Sequence, residues 1–100
     1  MDYQIVLSAS ARSDLQDIVR YISLDDPQRA VEFGRFLIQC ARSLGPFPMR
    51  GRVVPEFDND SIRELIARSY RIVYRVDERR SLIEIVRFWH AARGTPQFPH

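Results

Sequence analysis

The sequence predicts an α+β domain of two layers in the order β-α-α-β-β-β, an antiparallel helical hairpin packed on one face of a small, mainly antiparallel sheet. Three observations carry that expectation. Two apolar stripes of helical period fill the first half, three β-branched and aromatic runs fill the second, and a proline-rich stretch divides them. A chain of 100 residues buries somewhat more than ~60% of its unfolded surface, enough for one core. Residues 1–100 therefore read as a single domain, with 91–100 as a tail.

The first element is a short β-compatible run, Tyr3 to Leu7. Ser8 and Ser10 then offer N-caps to a helix whose apolar stripe is Ala11, Leu15, Ile18, Val19 and Ile22. Asp14 and Asp17 come early in it and Arg20 late, the order that the helix dipole favours. It should end near Leu24. Asp25-Asp26-Pro27 is a strong boundary, because Asp26 can cap and Pro27 suits the first helical position. The second stripe is Ala30, Phe33, Leu37, Ala41 and Leu44, closed by Gly45-Pro46 as a C′ glycine and a stop. Gly34 inside it costs about 1 kcal/mol relative to alanine, and close approach of the first helix is one reason to keep it. So short a link makes the two helices a hairpin.

Residues 45–61 hold three prolines and the Asp58-Asn59-Asp60 cluster and read as a long surface loop. Strands follow at Ile62 to Ala67, Tyr70 to Val76 and Leu82 to Trp89, joined by turns at Arg68-Ser69 and at Asp77 to Ser81. Neither turn has the glycine of an ideal tight hairpin.

Composition is that of an ordinary globular protein, at 45% hydrophobic and 28% charged. No apolar run reaches the ~18 residues of a membrane span and no leader pattern opens the chain, so a cytoplasmic location is expected. A single cysteine, Cys40, excludes an internal disulfide and reads as a buried or half-buried structural thiol. No metal-ligand spacing, phosphate-cradling glycine loop or Ser-His-Asp order is present, so no cofactor or metal is expected. All 15 basic residues are arginine. Base composition of a genome can produce that bias, but arginine also supplies a planar fork for phosphate that lysine lacks. The charge is uneven: five Arg against six acids up to residue 49 (−1), ten against seven beyond it (+3). A total of +2 is too weak for a nonspecific nucleic-acid binder, so local clustering is what matters.

Alternation along the middle strand places Tyr70, Ile72, Tyr74 and Val76 towards the helices, and Arg71, Val73, Arg75 and Asp77 on the open face. Arg71 and Arg75 then stand ready for phosphates at a comparable spacing, or form cross-strand pairs with Glu64 and Glu84. His90 ends the last strand beside Trp89 and between Arg87 and Arg93. It is either a general acid or base near neutral pH, or a strand-end packing residue. Glu56 is a carboxylate held in the loop next to Pro55; its plainer role is to pair with Arg52 or Arg63. His100 carries no signal.

From Tyr3 to about Arg93 the chain resembles the RelE/ParE toxin superfamily. The likeness rests on Ser10-Ala11-Arg12-Ser13-Asp14-Leu15-Gln16-Asp17-Ile18 and on Pro27-Gln28-Arg29-Ala30. It continues through Gly51-Arg52…Pro55-Glu56 with Arg63-Glu64, and through Tyr70-Arg71-Ile72-Val73-Tyr74-Arg75-Val76 followed by His90…Arg93. The resemblance implies a growth-arresting toxin neutralised by a cognate antitoxin, in a heterotetramer or larger complex. RelE-like members cut messenger RNA on the ribosome. On the likeness to the YoeB branch, Glu56 is the base, Arg71 the phosphate clamp and His90 the acid, with Arg52, Arg63, Arg75, Arg87, Trp89 and Arg93 around them to bind RNA or another target. The catalytic lysines and the C-terminal tyrosine of many RelE proteins have no counterpart here. ParE-like members instead bind DNA gyrase without catalysis and keep a similar Tyr-Arg…Tyr-Arg strand and His…Arg ending. Glu56 and the short Asp25-Asp26-Pro27 link incline the reading to the nuclease. A decayed toxin that only binds its antitoxin is the third alternative.

Overall fold

The computed structural model describes residues 2–97. Two helices, α1 (Ala9–Ser23) and α2 (Pro27–Arg42), pack on a five-stranded sheet. Its strands are β1 (Gln4–Leu7), β2 (Arg52–Val53), β3 (Ile62–Ala67), β4 (Tyr70–Asp77) and β5 (Leu82–His90), in the order β1-β5-β4-β3-β2. The expected two-layer class and all four expected strands are present. The strand arrangement differs in two respects: β1 lies parallel beside β5 at one edge, and β2 arises inside the expected loop to pair with β3.

The helix boundaries follow local chemistry. The Ser8 hydroxyl accepts a hydrogen bond from the Ala11 amide, and the Asp26 carboxylate accepts one from Arg29, with Pro27 at the first position of α2. A Cβ on Gly34 would lie 3.1 Å from a Val19 methyl, so the glycine does mark where the two helices approach. One cap differs from expectation. α2 ends at Arg42 with Ser43 as a right-handed C-cap, and Gly45 is not left-handed. Gly45 serves instead as an anchor, its carbonyl accepting from the Tyr3 amide at 2.9 Å.

The main core joins Ala11 of α1 and Leu37, Ala41 and Leu44 to Ile72, Tyr74, Ile83, Ile85 and Phe88 of the sheet. Ile83, Ile85 and Phe88 cannot all face the helices in a regular strand, since the last lies an odd number of residues from the others. A β-bulge resolves this. Val73 pairs with Arg87 and Tyr74 with Ile85, leaving Val86 as the extra residue. The Ser8 hydroxyl donates to the Val86 carbonyl, so one side chain caps α1 and satisfies the bulge. On the other face a smaller core of Val54, Ile62 and Val73, with Phe57 against it, folds part of the 45–61 segment onto the sheet.

Residues 91–97 are not a loose tail. Ala91–Arg93 form a 3-10 turn, and the carbonyls of Gly94 and Gln97 accept hydrogen bonds from the sheet's side chains. His100 lies outside the described residues.

Candidate functional site

The face of the sheet away from the helices carries a row of alternating charges built from three strands and a loop. Arg71 on β4 is its centre, with a side chain only 9% exposed. Its Nε donates to Glu64 on β3, and its Nη1 and Nη2 donate to the two Glu56 oxygens at 2.8 and 2.7 Å. Nη1 also reaches the Gly94 carbonyl at 3.2 Å. Glu64 is wholly buried and takes a second bond, from the Nε of Arg52 on β2 at 2.6 Å. The row Arg52–Glu64–Arg71–Glu56 therefore sums to no net charge. The bidentate bond from Arg71 holds the Glu56 carboxyl below its ordinary value of 4.5. The same pairing, with Glu64 behind it, drives Arg71 further from deprotonation.

This settles how the open-face arginines are used. Arg71 pairs with Glu64, and Arg75 pairs with Glu84 at 3.5 Å, as the cross-strand alternative required. Glu56 pairs with Arg71 rather than with Arg52 or Arg63. Four residues of strand put Arg71 and Arg75 about 14 Å apart, longer than the phosphate-like spacing expected. Arg63 lies on the opposite face, where its Nη1 donates to the Gly51 carbonyl at 2.9 Å. Nearby, the buried Tyr74 hydroxyl accepts from the Gly51 amide and donates to the Pro48 carbonyl, fastening the 45–61 segment. Burial pushes that phenol up, so it stays neutral.

At the β5 end, Trp89 is buried beside Arg71, with its indole N–H donating to the Gly94 carbonyl. The guanidiniums of Arg93 and Arg87 stack over its ring at 4.0 and 4.9 Å. Arg87 also makes a two-pronged bond to Asp14 of α1, and Asp14 accepts from the Phe88 amide as well. Asp14 thus takes the place of a neighbouring strand just where β1 has ended. Its position in the helix had suggested only a dipole role, and no local signal relates it to Arg87, 73 residues away. Glu64, the buried hub, was legible only as a cross-strand partner.

His90 stands apart from the charged row. It pairs with Tyr70 in the register while Arg71 pairs with Trp89, so the sheet separates its ring from Glu56 and Arg71. Its Nδ1 accepts from the Ala92 amide, and its ring meets Tyr70 edge-on at 5.0 Å. The structure brings Glu56 and Arg71 together and leaves His90 on the helix side. Among the described residues no group of three or more His, Cys, Asp or Glu is placed to hold a metal. Cys40 is half-buried against the core, and burial raises its thiol.

A family model described as the ParE toxin of the type II toxin–antitoxin system parDE matches residues 5–94. The chain belongs to the ParE toxin family. No curated protein matches it in sequence. Among solved structures, this ParE-family toxin is similar to a chain of the chromosomal ParDE system from P. aeruginosa, with a TM-score of 0.71 and 21% identity, covering 88% of this chain and 95% of that one. It is similar also to a chain of the toxin–antitoxin complex RelBE2 from Mycobacterium tuberculosis, with a TM-score of 0.66 and 21% identity, covering 90% and 99%. Both comparisons establish the RelE/ParE fold.

Proposed function

We propose that this toxin arrests bacterial growth without catalysis, as a ParE-like inhibitor of DNA gyrase in the cytoplasm, and that a cognate antitoxin neutralises it. The observation that carries the reading is that four of the five N–H donors of Arg71 are already engaged. A phosphate clamp needs guanidinium donors directed outward, whereas these are spent on Glu56, Glu64 and the Gly94 carbonyl. The other two members of a nuclease triad fare no better. A general base works best with its pKa raised towards neutrality, and Arg71 moves Glu56 the other way. His90 lies across the sheet from both. This reverses the inclination towards the nuclease. The Glu56–Arg71–Glu64 row acts as a structural clasp.

The test is brief induction in bacteria, with plasmid supercoiling and messenger-RNA 5′ ends followed together. Loss of negative supercoiling with intact messages is expected. New 5′ ends clustered within codons would sink the proposal and return Glu56, Arg71 and His90 to catalytic roles.

A further inference from the structure

Among the described residues six arginines are engaged by carboxylates: Arg20, Arg52, Arg71, Arg75, Arg80 and Arg87. The other nine have no carboxylate partner among the described residues, and three of them, Arg29, Arg68 and Arg93, gather at one end of the fold. There two depressions adjoin, sharing Ile22, Tyr70 and His90. Arg93 lines the first, of about 390 Å³, and Arg29 and Arg68 line the second, of about 230 Å³. Together they form a furrow between the end of α1, the start of α2 and the β3–β4 turn. Its floor is aromatic and aliphatic, with Phe33 beside Tyr70 at 5.6 Å.

Arg68 is already oriented, with its guanidinium 4.3 Å over the Phe36 ring, whereas Arg93 stands at the rim with its guanidinium 4.0 Å over Trp89. Stacking occupies the face of a guanidinium and leaves its in-plane N–H edge free to donate, which is the geometry that takes a carboxylate. Arg68 holds this position at a cost. Its φ is 55°, a left-handed conformation that disfavours any residue with a Cβ by about 1–2 kcal/mol. Glycine would relieve the turn, yet an arginine stands there.

A continuous phosphate backbone would meet Asp14 and Asp17 in the first depression, so the acidic groups of a ligand belong beside Arg29 and Arg68 in the second and its apolar anchor in the first. A peptide that carries carboxylates at one end and an apolar anchor at the other fits both. Tyrosine and arginine around such a floor is also the composition of binding hot spots. We propose that this furrow is where the toxin grips its target protein, taking from it an acidic segment with an apolar or aromatic anchor. The inference rests on the non-catalytic reading above.

The test uses three chains, wild type, Arg29→Glu and Arg68→Glu, each induced in bacteria with and without the cognate antitoxin. Antitoxin binding and thermal melting are measured on the purified proteins. The Arg29 change lies on an exposed helical turn and preserves the fold, which guards against a folding defect from Arg68. Loss of growth arrest in both variants with antitoxin binding retained is the expected result. Arrest at wild-type strength in Arg29→Glu and Arg68→Glu overturns the proposal. So does parallel loss of arrest and antitoxin binding in folded variants, which would assign the furrow to the antitoxin, and so does a wild type that arrests nothing. If the wild type arrests growth by breaking messages, the gyrase reading fails and this proposal fails with it, whereas arrest with intact messages that persists in both variants overturns the furrow alone.

Discussion

Single residues in this toxin are held to their tasks by how completely they are surrounded. Glu64 is the sharpest case, a carboxylate with no exposed side-chain surface between two guanidiniums. Removing one partner from a buried ion pair costs about 3–5 kcal/mol, because the remaining charge stays desolvated. Glu64→Ala should therefore lose stability of that order in urea unfolding, and a loss below about 1 kcal/mol would mean that the row is dispensable. Glu56 is more exposed, and its contribution is read through pH. Its folded pKa lies below the ordinary 4.5. The stability it adds is thus fully present above that value and is lost as pH falls through the folded pKa. Wild type should melt above Glu56→Gln at pH 7, and the gap should close in acid, well below pH 4.5. A gap that widened in acid would reverse the sign of the argument. Gly51 is constrained by space, since a Cβ there would sit 2.6 Å from the Tyr74 hydroxyl and would press on the Glu64 backbone. Gly51→Ala should cost about 1–3 kcal/mol by overpacking. The cross-strand pairs of Arg71 with Glu64 and of Arg75 with Glu84 were legible in the chain; the burial of Glu64 and the part played by Glu56 and Gly51 were not. Charge and spacing suggested which arginines share a face, but which guanidinium the loop carboxylate meets depends on how residues 45–61 fold back.

Elements were more legible than their terminations. Helical periodicity, the Asp26-Pro27 start and the β-branched runs located α1, α2, β3, β4 and β5 to within a residue or two, because these signals are local. The β-bulge was hidden although its trace is in the chain. Ile83, Ile85 and Phe88 break the two-residue period, and only the pairing register shows which face each takes. The turns also departed from pattern, with Arg68 and Ser81 both at positive φ, 55° and 50°. Ser81, unlike Arg68, stacks on no ring among the described residues, so Ser81→Gly should relieve the backbone at little loss and raise the melting temperature by a few degrees. A fall would show that the serine side chain has a use. Asp14 works at the element scale too, completing the edge of β5 where β1 stops. Asp14→Ala leaves the Phe88 amide and the Nε and Nη2 of Arg87 without their acceptor. It should destabilise by about 2–3 kcal/mol, measured by thermal or denaturant unfolding.

Across the whole molecule the decisive contacts are long-range. The two helices pack on each other, but the fully buried residues of the core come largely from β4 and β5, so the hairpin alone leaves much of its apolar surface uncovered. A fragment comprising residues 1–45 should accordingly show little helical signal by circular dichroism, whereas the intact chain should unfold in one cooperative transition. A stably helical fragment would mean that the two helices suffice for each other. The two-layer class was readable because amphipathic elements must cover one another. The parallel seating of β1 beside β5 was not, since nothing local distinguishes an edge that pairs with the next strand from one that waits for the last.

That seating also imposes an order in time. Gln4 finds its partner at Leu82, so on the ribosome the first strand emerges long before anything exists for it to join. The two helices emerge next, with their apolar sides still facing water. The sheet closes only when the last strand is delivered, so a chain that stops short of β5 has no seat for its first strand and no cover for its helices.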